Sequence, residues 1–125
     1  MLTVTQIAKA YNISRTTILY YERAGLLLPH SRSDNGYRWY GKKEQARLES
    51  IISYRSVGLS IQEISALLDR TDDAKQEQTL VNQFNALEKE IQNLRQQQKA
   101  IVMLLEQPEL LEQKMLTKEL SLIHI

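Results

Sequence analysis

Three stretches of the sequence predict a mainly α-helical chain, a winged helix-turn-helix domain followed by a long coiled-coil helix. Residues 14–40, SRTTILYYERAGLLLPHSRSDNGYRWY, read as a helix, a turn and a small hairpin. Residues 42–69 read as two apolar-striped helices around Gly58. From 80 to 105, core-type positions recur at spacings of 4, 3, 4, 3, 4, 3 and 4. The expected organisation is a winged domain over 1–70, a connector over 71–76, a coiled-coil helix over 77–107 and a short tail over 108–125.

Thr3-Val4-Thr5-Gln6 fits a capping box, with Thr3 as N-cap and Gln6 reaching back. The first helix is expected from about Val4 to Ala10, with Val4, Ile7 and Ala8 facing inward. Tyr11-Asn12-Ile13 makes a short turn, where Asn12 tolerates positive φ. Ser14 caps the second helix, on which Ile18 and Tyr21 share a face. Gly25 supplies a left-handed residue to end it, and Leu26, Leu27, Leu28 and Pro29 lead out, the leucines as core. Asp34-Asn35-Gly36 signals a tight turn between two short extended runs.

Lys42 to Val57 has helical apolar spacing at Ala46, Leu48, Ile51 and Ile52, and Gly58 stops it. Ser60-Ile61-Gln62-Glu63 is a second capping box, and Ile61, Ile64, Leu67 and Leu68 stripe a fourth helix ending near Asp69. This helix pair can serve as a second wing. Asp69 to Lys75 is polar and reads as a connector. Leu80, Phe84, Leu87, Ile91, Leu94, Gln98, Ile101 and Leu105 then form an a/d heptad seam. A helix of about 30 residues spans about 45 Å and cannot bury its own stripe. A partner chain is therefore expected, with Gln98 weakening the seam locally and fixing register. Pro108 ends the helix.

Composition narrows the chemistry. The chain has 125 residues, no Cys and two His. Disulfides and thiolate metal sites are excluded, and no metal site or cofactor is expected. No apolar run approaches the roughly 20 residues of a membrane span. The N-terminus lacks the pattern of a signal peptide, so a cytoplasmic protein is expected. Residues 1–58 carry nine Lys or Arg against four Asp or Glu, a net +5, and the remainder carries −4. A basic front on an acidic back suits a polyanionic partner for the front alone.

Residues 14–40 are what a reader of duplex DNA needs. A short helix with cationic and hydroxyl groups can enter the major groove, and a basic, aromatic hairpin can hold the phosphate backbone. Arg15, Thr16, Tyr20 and Arg23 fall outside the inward face of the helix. Arg32, Tyr37, Arg38, Trp39 and Tyr40 flank the turn.

The runs TVTQIAKAYNISRTTILYYERAGLLLP and RSDNGYRWYGKKEQARLESIISYRSVGLSIQEISALL resemble the DNA-binding domain of MerR-type transcription regulators. The motifs YYERAGLL-P and NGYR-Y at this spacing are highly specific, and the likeness covers about residues 1–70, with the family's dimerisation helix at about 76–106. The resemblance implies a homodimer through an antiparallel coiled coil, bound to a pseudo-palindromic promoter element in double-stranded DNA. It also implies distortion of that promoter so that RNA polymerase can use both promoter boxes. By position, Arg15, Thr16, Thr17 and Tyr20 would face the groove or its phosphates. Arg32, Tyr37 and Arg38 would clamp the backbone, with Tyr40 nearby, and Arg55 would reach it from the second wing. Tyr21 and Glu22 match motif positions that are as often structural as contacting. Leu19 stands where the family usually has Arg; packing is the favoured reading, with partial compensation by Arg23.

Metal-sensing relatives use Cys near the end of the dimer helix, and this chain has none. His30 reads as a plain residue at the wing's edge. The large ligand domain of multidrug-sensing relatives is missing or truncated, which leaves the effector open. Leu120 to Ile125 resembles a translated sequencing adapter. Two readings stay open: a natural chain that continues differently from about residue 120, or a genuine short tail. The alternatives to a regulator are an excisionase-like DNA-bending protein and a coiled-coil interaction module. An enzyme is disfavoured because no nucleophile–base pair stands out.

Overall fold

The computed structural model describes residues 1–69 and 72–107. The expected readings of Pro108, the tail and Leu120–Ile125 lie outside the described residues. The chain divides into two compact units, Met1–Gln83 and the segment from Phe84 onward.

In the first unit the elements run β1 (Leu2–Thr3), α1 (Val4–Ala10), α2 (Arg15–Arg23), β2 (Ser31–Arg32), β3 (Arg38–Tyr40), α3 (Lys42–Ser56) and α4 (Ile61–Leu68). Helix α5 (Asp73–Glu106) starts in this unit and continues through the described part of the second. Local chemistry sets most helix starts. Thr3 accepts from the Gln6 N–H at 3.2 Å while Gln6 Oε1 accepts from the Thr3 N–H at 2.9 Å. Ser60 and Glu63 repeat that box at 3.1 and 3.0 Å. Ser14 Oγ accepts from the Thr17 N–H at 3.0 Å. Each such cap stabilises its helix by about 1 kcal/mol. Asn12 sits at φ 55 between α1 and α2, and Gly25 at φ 74 follows α2.

Strand β1 is a correction to the expected two-stranded hairpin. It pairs antiparallel with β3, Leu2 opposite Tyr40 and Thr3 opposite Trp39, giving the order β1-β3-β2. Two residues are too few to show an alternation. The hairpin itself pairs Ser31 with Trp39 and Arg32 with Arg38. The Ser33 N–H donates to Tyr37 O at 2.9 Å and closes the loop around Gly36.

The core lies where the helices meet the sheet. Ile7 and Ala8 of α1, Ile18 and Tyr21 of α2, Leu26, Leu27 and Tyr40 are buried together. Leu48 and Ile51 of α3, Leu59, and Ile64 and Leu67 of α4 complete the same cluster. Leu28 departs from its expected core role and is exposed.

The expected connector is shorter than the sequence suggests, because α5 begins at Asp73. Asp72 Oδ1 accepts from the Ala74 N–H at 3.0 Å, an N-cap, and Asp73 lies in the first turn. Carboxylates there meet the positive end of the helix dipole. An acidic stretch that reads as a linker is therefore the helix start. Within the first unit, Gln83 Nε2 on α5 donates to Val57 O at 2.8 Å. Gly58 sits at φ 90 beside it, and a Cβ there would lie 2.8 Å from Gln83 Nε2. The left-handed backbone is what favours glycine here, since the flexible end of Gln83 could swing away from a Cβ.

In the second unit, α5 runs from Phe84 to its end at Glu106. No residue of α5 is buried. The seven apolar seam residues from Leu80 to Leu105 are 40% to 66% exposed, and Gln98 is exposed as well.

Candidate nucleic-acid interface

Helix α2 is held by Ile18 and Tyr21, which turns its other faces outward. Arg15, Thr16, Tyr20 and Arg23 are exposed. Neither arginine has an ion-pair partner among the described residues, so both guanidinium groups are available to a polyanion. Thr17 is half-buried, with Oγ1 2.8 Å from Ser14 Oγ, so it belongs partly to the helix cap. Leu19 is half-buried too, which fits packing at the rim of the core. The Tyr20 ring leans on Tyr21, with centroids 6.2 Å apart at 47°, which steadies an exposed phenol.

The hairpin joins this helix through one carboxylate. Glu22 Oε2 accepts from Arg38 Nε at 2.8 Å, and Oε1 accepts from Arg32 Nη2. Burial alone would raise the Glu22 pKa. Hydrogen bonds from Arg32 and Arg38, with their charges, outweigh that and hold it below its ordinary value. Arg32 remains 54% exposed at its side chain and Arg38 28%, so one carboxylate anchors two cations that still reach solvent. Tyr37 at the hairpin loop is exposed.

Tyr40 corrects the expectation that it lies on the binding surface. Its ring is fully buried in the core, because its pairing with Leu2 places it on the inward face of the sheet. Its hydroxyl has no hydrogen-bond partner among the described residues. Burial, then the Glu22 charge, raises its pKa. Arg55 is exposed and sits in the last turn of α3, where Nη1 donates to Leu59 O at 2.9 Å. It therefore helps hold the α3–α4 turn.

Two organising residues were not singled out as such. Glu22 acts across ten and sixteen residues of sequence, a tertiary relation that no local pattern shows. Arg47 donates from Nε to Leu26 O at 2.6 Å and from Nη2 to Asp69 Oδ1 at 3.1 Å, tying α3 to the end of α2 and of α4. His30 Nδ1 lies 3.4 Å from Glu44 Oε1, at the edge of the hairpin. Among the described residues no group of three His, Cys, Asp or Glu could hold a metal ion, and no helix is long and apolar enough to cross a membrane.

A helix offering unpaired cations beside an arginine hairpin, both set on a small helical core, defines a winged helix-turn-helix DNA-binding protein. The chain matches the family model described as MerR HTH family regulatory protein over residues 2–71. It also matches the model described as MerR, DNA binding, over residues 45–107. The chain belongs to the MerR family of DNA-binding transcriptional regulators, which are not enzymes.

A probable heavy metal-dependent transcriptional regulator from Haemophilus influenzae is 33% identical over 105 residues, 74% of this chain and 82% of that one. In further curated relatives the matched stretch makes up between 26% and 56% of their length. The N-terminal part of MtaN, the Bacillus subtilis multidrug transporter activator, superposes with a TM-score of 0.78 at 28% identity, covering 84% of this chain and 98% of that one. EcmrR, in the EcmrR–DNA complex within EcmrR-RPo, superposes with a TM-score of 0.65 at 26% identity, over 74% of this chain and 34% of that one.

Proposed function

We propose that this protein works as a homodimer on a pseudo-palindromic promoter element, and that it regulates transcription by distorting that DNA for RNA polymerase. The observation that carries the dimer is the seam of α5. Its apolar residues from Leu80 to Leu105 are all at least 40% exposed. A stripe of this length in water favours a second helix. Two copies of a winged domain on one two-fold axis suit an inverted repeat.

In this reading Arg15, Thr16 and Tyr20 face the major groove, with Thr17 and Arg23 at its phosphates. Arg32, Tyr37 and Arg38 hold the backbone from the hairpin, positioned by Glu22. The exposed donors of Arg55 add a backbone contact from the α3–α4 side. EcmrR, the DNA-bound relative, supports promoter DNA as target. The heavy metal in the name of the Haemophilus influenzae relative is not carried over, because this chain has no cysteine thiolate to offer.

The test is selection of bound sequences from random duplex DNA, with the mass of the protein in solution. A dimer mass and an inverted-repeat site are expected, and a label pair flanking the site should report bending. A monomer with sequence-blind, salt-sensitive binding would overturn the proposal.

A further inference from the structure

We infer that a cleft at the root of the hairpin, between the 25–30 segment, α3 and the end of α4, binds a small amphipathic carboxylate that acts as an effector. The site stands on the winged domain alone. Its effector role rests on the regulator reading above.

The cleft has a volume of about 770 Å³ and lies wholly within the first unit. That is in the range of small-molecule sites, which pair an apolar lining with a few placed polar groups. The apolar lining includes Leu28, Pro29, Ala46 and Leu68. Leu28 is the residue that DNA binding does not account for. Leu26 and Leu27 beside it are fully buried, yet Leu28 is 59% exposed. The exposed rings of Tyr20 and Tyr37 belong to α2 and the hairpin loop, whereas Leu28 lies between α2 and β2. Pro29 disfavours a helical turn at Leu28 and keeps this segment extended.

The polar lining sets the charge of the occupant. Two carboxylates line the cleft, and both are engaged. Asp69 Oδ1 accepts from Arg47 Nη2 at 3.1 Å, and Glu44 Oε1 lies 3.4 Å from His30 Nδ1. Lys43 also lines the cleft and has no ion-pair partner among the described residues. Its ammonium is therefore left for a ligand carboxylate. Arg47 uses two of its five N–H donors within the chain, on Leu26 O and Asp69, and the others can join Lys43. A cationic ligand would meet Lys43 and Arg47 and find both carboxylates taken.

Position gives the occupant leverage over DNA binding. Arg47 Nε holds Leu26 O, just past Gly25, where α2 has ended. Its Nη2 holds Asp69, the C-cap of α4. The His30 N–H donates to Trp39 O at 2.8 Å and closes the base of the hairpin. One bound molecule thus touches the exit of α2, the root of the hairpin and the end of α4. A carboxylate drawing on Arg47 competes with Asp69 and loosens the tie between α3 and α4.

The test titrates the isotope-labelled full chain with naphthoate and, separately, with naphthylmethylammonium, a cation of similar shape. Saturable shifts of the Leu28, Ala46 and Ser50 amide resonances are expected with naphthoate alone. Shifts centred on Leu80 to Leu105 would put the probe on the seam of α5 and overturn the cleft. No saturation by about 10 mM would overturn the site, and equal binding of the ammonium would overturn the carboxylate assignment. Leu28→Ser and Lys43→Ala replace exposed side chains, so the fold should persist in both. Each should weaken naphthoate binding at least about fivefold, and unchanged affinity in both would overturn the lining. Saturating naphthoate should change the operator affinity of the wild type at least about threefold and spare that of Lys43→Ala. Probe binding with no change in operator affinity would overturn the effector role. A chain that binds the probe but selects no operator would instead overturn the proposed promoter target.

Discussion

The winged domain and helix α5 bury their apolar residues in opposite ways. Ile7, Ile18, Leu26, Leu48, Ile51 and Ile64 are each fully buried by neighbours in the same chain. Along α5 nothing is buried, although its apolar residues are as regular as any in the sequence. At about 1.5–3 kcal/mol per fully buried large aliphatic side chain, the first region can be stable alone. On the proposed dimer the second gains that energy only by association, so a substitution should be able to strike folding or assembly while sparing the other.

Leu94→Asp should separate them most sharply. A carboxylate in the seam should abolish the dimer mass and lower operator affinity by at least about 100-fold through lost bivalency. The melting of the winged domain should shift by no more than about 0.5 kcal/mol in calorimetry. A large shift would mean that α5 supports the domain after all. Ile18→Ala is the converse. It opens a cavity in the core and should cost about 2–5 kcal/mol in denaturant unfolding, while the dimer mass persists below the transition.

Arg38→Ala should act on neither region's stability as strongly as on DNA. Losing one phosphate contact should weaken binding across all sequences and reduce the salt slope by about 0.9, read by titration at several salt concentrations. An unchanged slope would remove Arg38 from the backbone clamp. The smallest effect concerns Glu22. Its pKa is held down in the folded state, so its pairing with Arg32 and Arg38 adds stability above the ordinary carboxylate range. That stability is lost as pH falls through the lowered value. Glu22→Gln should therefore melt below the wild type at neutral pH, and the gap should close in acid. A gap that persists at low pH would argue against charge pairing as its cause.

Most of the fold was legible because its signals are local. Thr3 with Gln6, Ser14 and Ser60 with Glu63 announce three helix starts, and Asn12, Gly25 and Gly58 announce the turns, each through backbone chemistry within a few residues. The heptad of α5 was legible because its period repeats. What stayed hidden depends on long-range partners. Strand β1 exists only through β3, and nothing in Leu2–Thr3 alone marks it. Tyr40 looks like its exposed neighbour Tyr37 in sequence, yet pairing with Leu2 sends it inward. Glu22 shows its role only once the hairpin folds back on α2.

The first three residues do more than their length suggests. Leu2 and Thr3 form an edge strand, Thr3 also caps α1, and the Met1 side chain lies near Gly41 at the start of α3. Loss of these residues to a peptidase would therefore strip a strand and a cap together. An affinity handle fused upstream should leave Met1 to Thr3 in place behind a flexible spacer.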